Sequence, residues 1–105
     1  MIALRTEKEL DLMEAASRIV GIAHRTIKPL VRAGTTTAEL DRVAEEVIHS
    51  YGAEPAFKGY HGYPATICIS INEQVVHGIP GDRVLEPGDI VSIDIGAKLA
   101  GYYGD

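Results

Sequence analysis

Cysteine is nearly absent from this chain. Of 105 residues only Cys68 carries a thiol, so no intrachain disulfide can form and a reducing, cytoplasmic setting is expected. A basic excess is also missing: 10 Lys and Arg stand against 15 Asp and Glu, a formal net charge of −5. That balance provides neither the positive footprint of a nucleic-acid binder nor a polybasic membrane patch. No apolar run approaches the roughly 18 residues of a membrane span, and Met1-Ile2-Ala3-Leu4-Arg5 runs into charged residues instead of the apolar core of a secretory signal. Low-complexity stretches and short-period repeats are lacking too. What remains is a single small domain, 1–105, able to bury roughly two-thirds of its unfolded surface but not to build a second core.

Helical periodicity fills residues 1–52. Thr6 followed by Glu9 is a capping box, and Leu10, Met13, Ala16, Val20, Ala23, Ile27 and Leu30 recur on one helical stripe. Pro29 predicts a kink or an early stop, and Gly34 a C-terminal cap. Thr36 and Glu39 repeat the capping signal ahead of Leu40, Val43, Ala44, Val47 and Ile48, and Tyr51-Gly52 ends that second helix. From residue 59 the pattern changes to strands and loops. Thr66 to Ile71 is β-rich, Gln74-Val75-Val76 is a shorter strand candidate, and Glu86-Pro87-Gly88-Asp89 has the residues of a type II turn leading into Ile90 to Ile95. Val91, Ile93 and Ile95 share one face of that strand, to be covered by the helices, whereas Ser92, Asp94 and Gly96 share the other. The fold class is therefore α+β, two amphipathic helices packed on an antiparallel sheet.

Chemistry concentrates between Gly59 and Asp105. A two-residue loop at Leu99-Ala100 would set Asp94 opposite Asp105 across a hairpin. Two facing carboxylates repel unless a cation lies between them, and their oxygens suit a divalent metal ion. Gly59-Tyr60-His61-Gly62-Tyr63-Pro64 puts two tyrosines and a histidine in a loop that can wall a pocket with flat apolar faces and polar tips. His77, beside Gly78, can donate to a substrate carbonyl or exchange protons near neutral pH. Cys68 reads either as a small buried hydrophobe or as a reactive thiol. His24 and His49 fall on helix surfaces.

The strings G-Y-H-G-Y-P, C-I-S-I-N-E, V-H-G-I-P, P-G-D-I-V-S-I-D-I-G and Y-Y-G-D, in this order, resemble the bacterial-type (type I) methionine aminopeptidases of the pita-bread, creatinase-like family. The resemblance implies a metal-dependent exopeptidase that removes initiator Met from nascent chains whose second residue is small. In that family two divalent metal ions (Co, Mn, Fe or Zn) share five side chains, and the hydroxide between them attacks the scissile carbonyl. It further implies that Asp94 and Asp105 are metal ligands, that His77 is the catalytic residue contacting the scissile peptide, and that Tyr60, His61, Tyr63 and Cys68, with His77, line the substrate site for a peptide N-terminus beginning with Met. The family fold repeats a two-helix-plus-strand unit about a pseudo-twofold axis, and this chain matches the first repeat alone. Its other three ligands belong to the second repeat. Two arrangements are therefore expected: an inactive half that needs a complementing C-terminal half, or a non-catalytic half-fold that self-associates as a homodimer imitating the two-repeat fold.

Overall fold

The computed structural model describes residues 6–72 and 78–104. Helix α1 spans Glu7–Ile27 and helix α2 spans Thr37–Ser50; five strands follow, β1 Glu54–Pro55, β2 Ile67–Ile71, β3 Val91–Ile95, β4 Ala97–Leu99 and β5 Tyr102–Gly104. The capping box at α1 forms as expected. Glu9 donates its backbone N–H to the Thr6 hydroxyl at 3.1 Å, and Thr6 N–H reaches the Glu9 carboxylate at 3.0 Å. At α2 the Thr36 hydroxyl accepts the Glu39 amide at 3.2 Å.

Burial along α1 follows Ala16, Ile19, Val20, Ala23 and Ile27; Ala16 abuts Gly104, and the other four join α2 residues Leu40, Ala44 and Ile48 and strand residues Ile67, Ile69, Ile71, Ile95 and Ala97 in one apolar core. Two expectations fail here. Leu10 is 52% exposed, because the core begins a turn and a half farther along, where the strands lie. Gly34 does not cap α1, which ends at Ile27 and tightens into a 3₁₀ turn at Lys28–Leu30 containing Pro29. Proline lacks the N–H that would continue the helix. Gly34 instead takes a positive φ of 94° in the following loop and donates its amide to the Leu85 carbonyl at 2.9 Å.

The antiparallel strands form two sheets, β1-β4-β5 and β2-β3. The division falls at Gly96. Ile95 pairs with Ile67, whereas Ala97 pairs with both Pro55 and Gly104. A side chain at Gly96 would press on Ala56 and the Phe57 ring, each 3.0 Å from an ideal Cβ position, so glycine here lets the segment after β1 lie flat on the strand.

The β4–β5 hairpin corrects the expected register. Its two-residue loop is Ala100-Gly101, with Leu99 opposite Tyr102, and both loop residues have positive φ, 50° and 87°. That is the type I′ geometry, whose twist matches the flanking strands. Asp94 belongs to β3 and not to this hairpin, and its cross-strand neighbour is Cys68. Asp105, His77 and the strand candidate Gln74-Val75-Val76 lie outside the described residues.

The turn before β3 is as expected, with Gly88 at φ 88° and the Asp89 amide donating to the Glu86 carbonyl at 3.2 Å. Asp89 also accepts from the Glu86 amide at 2.9 Å and from the Asn72 carboxamide at 3.0 Å. The Glu86 amide, and after it Asn72, hold the Asp89 carboxyl below its usual value of 3.8. Protonation therefore favours the unfolded chain. The stabilisation is complete above the unfolded value and disappears as pH falls through the lower folded one. Melting temperatures of the wild type and Asp89→Asn should differ at neutral pH and converge in acid; a difference unchanged down to about pH 2 would contradict this.

Candidate functional site

The exposed side of β3 meets a loop that the sequence makes rigid. Phe57 ends the segment after β1. The loop then folds on itself: Tyr60 N–H donates to the Phe57 carbonyl at 3.0 Å, Gly59 N–H to Tyr63 at 2.8 Å, and Tyr63 N–H to Tyr60 at 2.9 Å. Gly59 and Gly62 occupy positive φ, 86° and 79°, and His61 between them is held at φ 49°, ψ 34°. A left-handed histidine is uncommon and costs energy, so the surrounding bonds must impose it. The Tyr60 and His61 rings meet edge to face, with centroids 4.3 Å apart and planes at 82°.

This loop, β2 and β3 enclose a cavity of about 320 Å³ lined by Phe57, Tyr60, His61, Tyr63, Cys68 and Asp94. The volume lies at the lower end of small-molecule sites. Its wall is mostly apolar, with one exposed carboxylate from Asp94 at the rim and the half-buried free thiol of Cys68 opposite it across the ribbon. The structure thus brings together five of the residues singled out from sequence, namely Tyr60, His61, Tyr63, Cys68 and Asp94. Phe57 was not among them. It is the only phenylalanine in the chain, and the one available signal was its position two residues ahead of Gly59, where an apolar ring outside any periodic segment lacks a core to enter.

Tyr63 does more than line the wall. Its hydroxyl lies 2.7 Å from the Ile67 carbonyl and 3.2 Å from that of Gly78, so its proton ties the loop to β2 and to the segment beyond residue 77. Burial, and then the adjacent Cys68 thiol, push the phenol well above its usual value of 10, keeping it a donor across the physiological range. A second cavity, about 340 Å³, lies between the end of α1 and β3 over Ile27, Val31, Val91 and Ile93. It has neither carboxylate nor thiol, and its chemistry is that of an apolar groove flanked by His24, Arg25 and Lys28.

The site therefore sets a carboxylate beside an aromatic and thiol-lined cavity on an α+β scaffold. Residues 11–105 match Metallopeptidase family M24, and the chain belongs to that family. Within it, the chain is 54% identical over its 105 residues to methionine aminopeptidase 1 of Bacillus subtilis, covering 100% of this chain and 42% of that protein. Among solved structures, methionine aminopeptidase from Rickettsia prowazekii superposes with a TM-score of 0.95 at 42% identity, and that from Thermotoga maritima with 0.94 at 38%; these cover 100% and 98% of this chain and 42% of each of those chains. The expected likeness to methionine aminopeptidases and to part of the pita-bread fold therefore holds. The chain spans less than half the length of the relatives it matches.

Membership of a metallopeptidase family implies a divalent metal ion. Among the described residues no group of three or more His, Cys, Asp or Glu side chains converges to hold one. Asp94 is a suitable hard-oxygen donor, exposed and adjoining the cavity. One carboxylate is not a closed coordination shell, so the described residues fit a contribution to a metal centre and not the whole of one. Among these same residues, no helix is long and apolar enough to cross a membrane.

Proposed function

We propose that this chain supplies the N-terminal repeat and the methionine-side wall of a methionine aminopeptidase acting on peptide N-termini. The observation that carries the reading is the cavity in which Phe57, Tyr60, His61, Tyr63 and Cys68 adjoin the Asp94 carboxylate. Aromatic faces and a soft thiol suit an unbranched thioether side chain, which gains from sulfur–aromatic contact as well as burial. Tyr63 holds the loop against β2, and the Tyr60 and His61 rings, packed edge to face, add aromatic surface to the cavity wall. Asp94 and Asp105 are the residues that would hold a divalent ion (Co, Mn, Fe or Zn), together with donors beyond this chain. A bound ion of that kind acts as a Lewis acid and lowers the pKa of water. His77 is assigned contact with the scissile peptide, as a donor to the developing charge. The single thiol is in keeping with a reducing cytoplasm.

Mixing the chain with a separately produced segment corresponding to the rest of a relative tests the reading. Metal-dependent release of methionine from a Met-Ala peptide by the mixture, and not by either part, is expected; a mixture that forms a complex and remains inert with metal overturns it. A second reading is favoured by the unpaired edge of β3 among the described residues, the apolar groove beside it and the 72% exposure of Ile90: a homodimer that covers these surfaces with a second copy. Native mass spectrometry of the same sample distinguishes the two, since a stable dimer that excludes the added segment supports the second reading.

A further inference from the structure

One carboxylate outside the cavity is bound to the strand that builds it. Asp41 projects from α2, and its Oδ1 accepts the backbone N–H groups of both Thr66 and Ile67, at 2.9 and 2.8 Å. These are the two residues that bring the chain into β2. Thr66 and Ile67 are fully buried, and the Thr66 hydroxyl has no hydrogen-bond partner among the described residues, so an amide losing its acceptor here carries a desolvation cost. The Ile67 carbonyl in turn receives the Tyr63 hydroxyl at 2.7 Å. Consecutive peptide groups at the start of β2 are thus both fixed by side chains, the Thr66–Ile67 group by Asp41 and the Ile67–Cys68 group by Tyr63. Cys68 is the next residue, and it lies opposite Asp94.

We propose that Asp41 is a positioning residue for the pocket, setting the entry of β2 from α2 and thereby the placement of Cys68 against Tyr63 and Asp94. It is not among the residues that line the cavity. The proposal rests on the reading of the cavity as a methionine pocket for its functional meaning, and on the hydrogen bonds alone for its geometry. The environment of Asp41 accords with such a role. Burial lifts its carboxyl above the usual 3.8, opposed by the Ile67 and Thr66 amides; Glu45 raises it further and Lys58 lowers it. Glu45 and Lys58 are themselves paired at 2.6 Å beside it, and the Tyr63 phenol is near enough to feel its charge. Its bonds to the strand offset the cost of holding this carboxylate in a half-buried place.

The test reads Cys68, the sole thiol, by its alkylation rate with iodoacetamide at one neutral pH, followed by intact mass, in the wild-type chain, Asp41→Ala and Asp41→Asn. Circular dichroism fixes a temperature at which each is folded. Asp41→Ala, which removes both charge-assisted bonds, is expected to speed alkylation by at least about tenfold. Asp41→Asn retains an acceptor oxygen and is expected to stay within about twofold of wild type. A lower melting temperature for Asp41→Ala with an unchanged alkylation rate would make Asp41 merely structural and overturn the proposal. Should Asp41→Ala not fold, amide resonances of Thr66, Ile67 and Cys68 are followed into acid in wild type and Asp41→Asn. All three are expected to share a step that the asparagine variant lacks, and a Cys68 amide indifferent to the substitution overturns the proposal. Protection of Cys68 by L-methioninamide separately reads whether the cavity takes a methionine side chain, so the two readings can fail independently.

Discussion

Replacing Gly104 with alanine is expected to destabilise the fold by about 3 kcal/mol, at or beyond the upper end of ordinary overpacking. Gly104 is buried at the end of β5, and a Cβ there would run into the Ala16 carbonyl carbon and the Ser17 nitrogen of α1, with the Ala16 methyl at 2.8 Å. Two of these three atoms are backbone. No rotamer change can relieve the clash, so helix and hairpin must separate. Separation loosens the small-residue contact among Ala16, Ala97 and Gly104, of which Ala97 is the strand partner of Gly104, and strains the Tyr102 hydroxyl bond to Glu9 at 2.8 Å. An opposing term exists. Gly104 is not among the glycines at positive φ, so alanine can adopt its backbone conformation and would gain about 0.4–1 kcal/mol from a less flexible unfolded chain. The clash exceeds that gain severalfold. Gly101→Ala is the internal comparison: its φ is 87° but no atom lies within 4 Å of the added methyl, so it should cost only about 1–2 kcal/mol. Urea denaturation of the two variants measures both. Equal losses would mean that conformational strain, and not the approach of β5 to α1, sets the demand for glycine.

The contrast between these glycines explains why some of the molecule was legible beforehand and some was not. Helix α1 was readable because Thr6 and Glu9 signal its start through local bonds, and Ala16, Val20, Ala23 and Ile27 recur at the helical period. The turn at Glu86–Asp89 was equally local. Long-range consequences were hidden. Leu10 satisfies the same period as Ala16 but projects beyond the strands, and only the placement of the sheet decides that it is 52% exposed. The hairpin register depended on whether Ala100 would accept a left-handed conformation next to Gly101, a cost that an Ala-Gly pair bears only because the type I′ turn matches the strand twist. In the site, Tyr60, His61, Tyr63, Cys68 and Asp94 carry recognisable chemistry and could be named one by one. Phe57 and Asp41 could not. Phe57 joins the cavity because Gly96 lets it lie against the strand break, and Asp41 reaches β2 from what reads as the polar face of a helix.

Asp94→Asn is expected to abolish metal-dependent activity in the complemented enzyme while leaving this chain's fold nearly untouched. The argument starts from exposure. Asp94 is on the outer face of β3, alternating with the inward residues Ile93 and Ile95, and a near-isosteric change at such a position moves stability by no more than about 0.5 kcal/mol. Function is a different matter, because asparagine replaces an anionic oxygen by a neutral amide nitrogen and weakens binding of a hard divalent cation. Loss of a group that merely orients a ligand costs about 10–100-fold in affinity or activity, so loss of a ligand should cost at least about 100-fold. If Asp94 is a ligand, the Asn variant should also lose manganese affinity, read by calorimetry on the complemented protein. An Asp94→Asn protein with unchanged metal affinity and activity would remove Asp94 from the centre and leave the cavity as a binding pocket alone.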